Sequence, residues 1–175
     1  MNTKLFPRLA GVLGIHAALI ALLWAIVKFG LADQNALSEP VLSLTEGDPL
    51  RIQAYLDEMI GALLRVGATA LIASALLAGL WLYMIDRNPP FGDKSARSKR
   101  GPWAGMLLLA LSTAGAACWL RIIGAPIAET LAGSLPVITT AIVLALVLVG
   151  FWLSTAVFVP SSTKIAIPGA SLFGS

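Results

Sequence analysis

The stretch GDPLRIQAYLDEMIGALLRVGATALIASALLAGLWLYMI, residues 47–85, decides the fold. In residues 49–65, large apolar side chains recur at the spacing of one helical face, and the charged side chains lie largely off that face. Residues 66–85 contain no charged side chain and are long enough, as a helix, to cross a hydrocarbon core of roughly 30 Å. One helix over 49–85 would be about 55 Å long at about 1.5 Å per residue. Its amphipathic part must therefore extend beyond a membrane.

The rest of the chain is equally apolar. It is 58% hydrophobic and 12% charged, whereas soluble domains are usually about 45–50% apolar. Three further runs without a charged residue, 9–27, 103–120 and 135–159, are long enough to span a bilayer. They lack the alternation of barrel strands, so helices are expected. The sequence predicts an all-α integral membrane protein: a single polytopic domain, 1–175, with a bundle of four transmembrane helices and an amphipathic N-terminal extension of the second helix.

The first apolar run follows a basic start and has an alternative interpretation as a cleaved signal peptide. It is longer than the 7–15 residues usual in signal peptides, and Lys28 lies just before the small-residue motif at 30–32. We expect the helix to be retained.

The charges divide unequally between the two sides of such a bundle. The N-terminus, the loop 86–102 and the tail 160–175 carry eight Lys and Arg residues and two acids. The other side comprises the loop 28–48, the amphipathic helix 49–65 and the turn 121–134. It carries four Lys and Arg residues and seven acids. The positive-inside rule then predicts that both termini and the basic loop face the cytoplasm, as in a bacterial inner membrane.

The basic loop predicts a lipid contact. Arg97, Lys99 and Arg100 are expected to bind anionic headgroups. The loop has no interleaved aromatic residues and no reading motif, so no nucleic-acid partner is expected.

Two segments are predicted to contact other membrane-protein subunits, in a hetero- or homo-oligomer. The amphipathic helix either bends near Gly61 or Gly67 to lie on the membrane surface, or stands out and buries its stripe against a partner. Its equal numbers of acids and bases favour a partner. The tail has no helical period and is expected to be disordered on its own. If it is held in place, its apolar side chains predict an extended clip on a neighbouring subunit. The partner-binding residues are predicted to be Ile52, Tyr55, Leu56, Met59, Ile60 and Leu63 in the helix, and Ile165, Ile167, Leu172 and Phe173 in the tail.

Small residues recur every fourth position in the second and third spans. Such rows allow helix backbones to approach closely in lipid, so these spans are expected to pack as a hairpin. The fourth span, rich in large branched residues, is expected to face lipid or a partner. The predicted packing residues are Ala70, Ser74 and Ala78, and Ala110, Ala114 and Cys118.

Two polar residues mark a possible site within the membrane. His16 lies near the middle of the first span and is interpreted first as a hydrogen-bonding group between helices, with a ligand or proton role as the alternative. Haem with two histidine ligands would need a second histidine, which the chain lacks, so no cofactor is predicted. Arg121 is expected to pair with Glu129 at the membrane rim, or to hold an anion or lipid.

The sequence contains no motif for a catalytic or phosphate-binding site, so no enzymatic activity is predicted. The favoured hypothesis is a non-catalytic structural or assembly subunit of a multi-protein inner-membrane complex, such as a conjugation or secretion apparatus or a respiratory or photosynthetic complex. The alternative is a small oligomeric channel or transporter. Its path would be lined by Ser74, Ser112, Thr113, Thr139, Thr140 and His16.

The predicted topology can be tested by cysteine labelling in sealed cells, in a Cys118→Ala background. A cysteine at Asp48 should react with an impermeant maleimide added outside, because the loop 28–48 is expected outside. A cysteine at Lys94 should react only after the membrane is opened. The reverse pattern would contradict the orientation.

Overall fold

The computed structural model describes residues 5–30, 36–123 and 131–173, and over these ranges the protein is helical, with no strand. Four of its helical segments are long and apolar enough to cross a membrane, which confirms the predicted helical class. The helices are α1 (Leu5–Gly30), α2 (Glu39–Thr45), α3 (Pro49–Arg87), α4 (Gly92–Ser98), α5 (Arg100–Cys118) and α6 (Leu135–Phe158). A π-turn, Trp119–Ile123, follows α5, and two short 3₁₀ turns, Ser161–Ala166 and Ala170–Phe173, form the tail.

Helix α3 joins the amphipathic and apolar parts of the sequence without interruption. The Asp48 side chain accepts a hydrogen bond from the Leu50 amide at 2.9 Å, which caps the helix. Pro49 occupies the first turn, where its missing N–H removes no helical hydrogen bond. The helix runs through Gly61 and Gly67, so it does not break at either position to lie flat.

Helices α3 and α6 form the centre of the bundle. They pack on one another, and α1 and α5 each pack on both of them. Since α1 and α5 make no substantial contact with each other, they lie on opposite sides of the central pair. In both α3 and α6, 44% of the most apolar stretch is buried, against 22% in α1. The expectation that the fourth span faces mainly lipid or a partner is therefore wrong: its large residues fill the middle of the bundle.

One end of the bundle collects the basic segments. Arg8, at the start of α1, lies 3.8 Å from Asp86, at the end of α3. Helix α4 and the first 3₁₀ turn of the tail pack together at this end, which we call the basic end. At the opposite end, the loop end, the Ala132 amide donates to the Ala36 carbonyl at 2.8 Å, and this bond joins the segments that precede α2 and α6.

The chain itself covers most of the amphipathic stripe of α3. Leu56, Met59, Ile60 and Leu63 are buried, and Ile52 and Tyr55 are half-buried. They belong to one hydrophobic cluster with residues of the loop end, among them Leu37, Val41 and Leu131. The sequence suggested that the stripe lies either on lipid or on another protein. The structure has a third arrangement, in which the chain itself covers the stripe. A short loop helix supplies the apolar cover, because α2 packs against α3.

The tail also packs on its own chain. The Arg100 guanidinium donates two hydrogen bonds to the Ile165 carbonyl, at 3.0 and 3.1 Å, and the Trp152 indole donates to the Pro168 carbonyl at 2.7 Å. Ile167 is buried and Ile165 half-buried, while Leu172 is exposed. The described tail residues therefore form two short turns that bond to their own chain, and the predicted extended conformation is wrong. The side chain of Phe173 lies outside the described residues.

Candidate polar site between three helices

His16 of α1 is buried where α1 meets both central helices. Only 2% of its surface is exposed. Ser74 of α3 and Ser154 of α6, both fully buried, lie beside it. All three residues fall within the apolar spans, so the bundle encloses a small polar cluster, which we call the His16 cluster.

The hydrogen bonds of His16 assign its tautomer. Nδ1 lies 2.9 Å from the Val12 carbonyl oxygen, which can only accept, so Nδ1 carries the hydrogen. The Ser154 hydroxyl, 3.4 Å from Nδ1, is a second and longer contact. In neutral imidazole Nε2 is then the acceptor, and the Ser74 hydroxyl, 3.1 Å away, donates to it. The Val147 carbonyl, 3.5 Å from Ser74 Oγ, is a longer alternative acceptor for the same hydroxyl.

A glycine makes room for the imidazole. A Cβ atom on Gly150 of α6 would lie 3.1 Å from His16 Nε2 and 2.8 Å from Leu19 Cδ1. Both distances are shorter than ordinary van der Waals contacts, so a side chain here would require Leu19 and the imidazole to shift. Gly150 thus leaves room for the imidazole at the position where the His16 cluster forms.

Helix α5 is joined to the centre by a different polar contact. The Trp103 indole N–H donates to the Thr155 hydroxyl oxygen of α6 at 3.0 Å. Thr155 in turn donates to the Phe151 carbonyl at 2.9 Å, so both hydroxyl functions are used. Each outer helix therefore has its own buried hydrogen bond to the central pair.

The hydrogen bonds of the His16 cluster can stabilise the packing of the helices. Both ring nitrogens have partners within the bundle, and a hydrogen bond between helices in a hydrocarbon environment contributes about 1 kcal/mol. Across the described ranges, no three His, Cys, Asp or Glu side chains group closely enough to hold a metal ion. The arrangement fits the interpretation of His16 as a hydrogen-bonding group between helices.

The hydroxyls considered as a transport path do not gather around His16, apart from Ser74. Thr113, Thr139 and Thr140 each donate to a carbonyl three or four residues earlier in their own helix, at 2.8–3.1 Å. Ser112 is exposed on α5.

The remaining predicted residues lie at several places in the bundle. All six predicted packing residues, Ala70, Ser74, Ala78, Ala110, Ala114 and Cys118, are buried. At the basic end, Arg97 and Arg100 are exposed and Lys99 is half-buried, with Arg100 also bonded to the tail. Arg121 is exposed in the π-turn. Its expected partner, Glu129, lies outside the described residues.

Ser154 and Gly150 were missed by the sequence analysis. They are four residues apart, the same small-residue spacing that singled out Ser74 on α3. The fourth span is otherwise rich in large branched residues, so its small residues were not examined for this spacing. The same four-residue spacing would have identified Gly150 and Ser154.

No family model, curated protein or solved structure matches the chain. The fold and the site therefore define its class alone: a helical bundle with four helices apolar enough to span a membrane, which indicates a membrane protein.

Ser74→Ala should lower the unfolding free energy of the purified protein by about 1 kcal/mol, because it removes the hydroxyl that donates to His16 Nε2. Ser112→Ala is the matched control, since it makes the same change at an exposed position of α5. Both can be measured by reversible denaturant unfolding in mixed micelles. Equal stability of the two variants would contradict the assigned role of the His16 cluster.

Proposed function

We propose that the chain is a non-catalytic structural subunit of a multi-protein membrane complex, packed between neighbouring subunits through its two outer helices. The observation that carries this proposal is a pair of uncovered faces composed largely of small residues, one on α1 and one on α5.

The α1 face lies on the side of α1 directed away from the bundle. At a glycine in its middle, Gly14, a Cβ atom would meet nothing within 4 Å, so the fold does not need a glycine there for its own packing. By contrast, a Cβ on Gly11 would run into the Phe158 ring of α6. The α1 face consists of Ala10, Gly14, Ala17, Ala18 and Ala21, all exposed.

The α5 face has the same character. It begins with two glycines four residues apart, the spacing that allows helix backbones to approach closely in lipid. A Cβ atom at either position would meet nothing within 4 Å. Leu108 and Leu109, also exposed, lie between the small residues. The small residues of the α5 face are Gly101, Gly105, Ser112 and Ala116, all exposed.

The positions of these faces favour a place between neighbours. Because α1 and α5 lie on opposite sides of the central pair, the α1 face and the α5 face point in different directions. A single face would suit a simple two-fold dimer, whereas two different faces suit heterologous contacts with two neighbours. The partners are other subunits or further copies of this chain.

The channel alternative receives less support. A path for solute needs hydroxyls free to exchange partners, whereas those of Thr113, Thr139 and Thr140 bond to their own helices. The hydroxyl of Ser74 bonds within the closed His16 cluster.

The setting of the complex follows from charge. The excess of Lys and Arg at the basic end supports a bacterial-type inner membrane with both termini in the cytoplasm. Small non-catalytic membrane subunits occur in assemblies such as a conjugation or secretion apparatus, or a respiratory or photosynthetic complex.

Gly14→Leu and Gly105→Leu should each reduce the recovery of co-purifying subunits from gently solubilised membranes, because the new side chain holds a neighbouring helix away. The open space at both positions leaves the bundle itself intact. Ala145→Leu, at an exposed position of α6, is the matched control. Native mass spectrometry after tag purification gives the subunit ratios. Unchanged ratios in both glycine variants would contradict the proposal.

A further inference from the structure

Two arginines from different helices meet in one crevice at the loop end. Arg65 of α3 and Arg121 of the π-turn line a cavity of about 440 Å³ between α3 and the end of α5. Both are exposed. In the part of the chain that the structure describes, neither forms an ion pair, whereas Arg8 and Arg51 lie near Asp86 and Asp48. The crevice therefore carries two guanidinium groups among its lining residues.

The depth of both arginines corresponds to a headgroup layer. Arg65 precedes Asp86 by 21 residues in α3, and Arg121 follows Arg100 by 21 residues. At about 1.5 Å per residue each separation is about 31 Å, close to the thickness of a hydrocarbon core. The exposed Trp119 beside Arg121 belongs to the residue type enriched at this level. The two guanidiniums thus lie at one membrane boundary while the basic end lies at the other.

The walls of the crevice below the arginines are apolar. The one hydroxyl among them, that of Thr69, donates to the Arg65 carbonyl at 2.7 Å. This leaves no unsatisfied donor among the wall side chains, so the crevice combines a cationic mouth with a hydrocarbon-like floor. The other lining residues are Ala62, Val66, Ala117 and Leu120.

The π-turn gives the mouth its shape. It replaces the last α-helical turn of α5 with a wider one over Trp119–Ile123, and this turn carries Arg121. Single π-turns inside or at the end of α-helices occur frequently at functional sites.

We propose that this crevice binds one anionic glycerophospholipid. The guanidiniums of Arg65 and Arg121 hold the phosphate, for which the planar fork of arginine is well suited. An acyl chain lies along Val66, Ala117 and Leu120, which are on the membrane side of the two arginines. This site is separate from the cations of the basic end, which lie at the other boundary. It does not require the subunit contacts of α1 and α5.

The test measures lipid retention by the full chain. The protein is purified in detergent, supplied with phosphatidylglycerol or with phosphatidylcholine of the same chain length, and then examined by native mass spectrometry as lipid is diluted away. We expect one phosphatidylglycerol to remain per chain. Arg65→Gln with Arg121→Gln should weaken its retention about tenfold or more, because charge-assisted hydrogen bonds to the phosphate are lost. Arg51→Gln with Lys94→Gln, which removes two exposed charges outside the crevice and outside the predicted headgroup contacts, should leave it unchanged.

Three results would overturn the lipid site. Equal retention by the two double variants would remove the role of the arginine pair. Equal retention of phosphatidylcholine would remove the selectivity for an anionic headgroup. Complete displacement by millimolar inorganic phosphate would show a site for free anions rather than for a lipid. Unchanged helical circular dichroism and elution volume identify the variants as folded. Co-purification of other subunits is scored separately, so it can fail while the lipid site stands.

Discussion

The fold depends on how closely α1 can approach the central pair. In hydrocarbon, helices gain no hydrophobic free energy by associating, so close van der Waals contact and hydrogen bonds between helices must hold them. Gly150 leaves space for the imidazole of His16, and the imidazole accepts from Ser74 of α3. One missing side chain thus allows one buried polar residue to connect three helices. The same residue, left without partners, would be costly at this depth.

The central pair of α3 and α6 also determines what the surface offers. Because α1 and α5 pack on opposite sides of this pair, each keeps one side uncovered, and both uncovered sides are rich in small residues. A bundle that used these residues for its own packing would have turned them inward, as it does with Ala78 and Ala114. Because these small residues are exposed, they are available to pack against helices of neighbouring subunits. The N-terminal extension of α3 has a different role, because it packs against α2 and forms part of the loop end.

Local features were predictable from sequence. The four apolar runs, the capping of α3 by Asp48 and its first-turn Pro49 depend on neighbours in the chain, and the structure has all of them. Features that depend on distant segments were not. Leu56 and Met59 are buried, and Leu131, far along the sequence, belongs to the same hydrophobic cluster. No periodicity in α3 indicates that the chain itself covers these residues. The central place of α6 was missed because a large branched residue suits lipid and a protein core equally well.

The candidate site divides in the same way. His16 stood out because a polar side chain in an apolar run is rare, whereas its partner Ser154 is an ordinary residue until the helices are brought together. Arg121 was recognised from its position at the end of a span. Its juxtaposition with Arg65 depends on the packing of α3 against α5, which the sequence predicted only as a hairpin.

The most direct test of the proposed role is the native mass and composition of the complex extracted from its own membrane. The chain would be purified through a tag at the N-terminus, and the intact assembly weighed before and after dissociation. Different subunits, or several copies of this chain, present in a fixed ratio would support a subunit that uses both outer helices. A stable monomer, with no partner at any detergent concentration that preserves the fold, would contradict it.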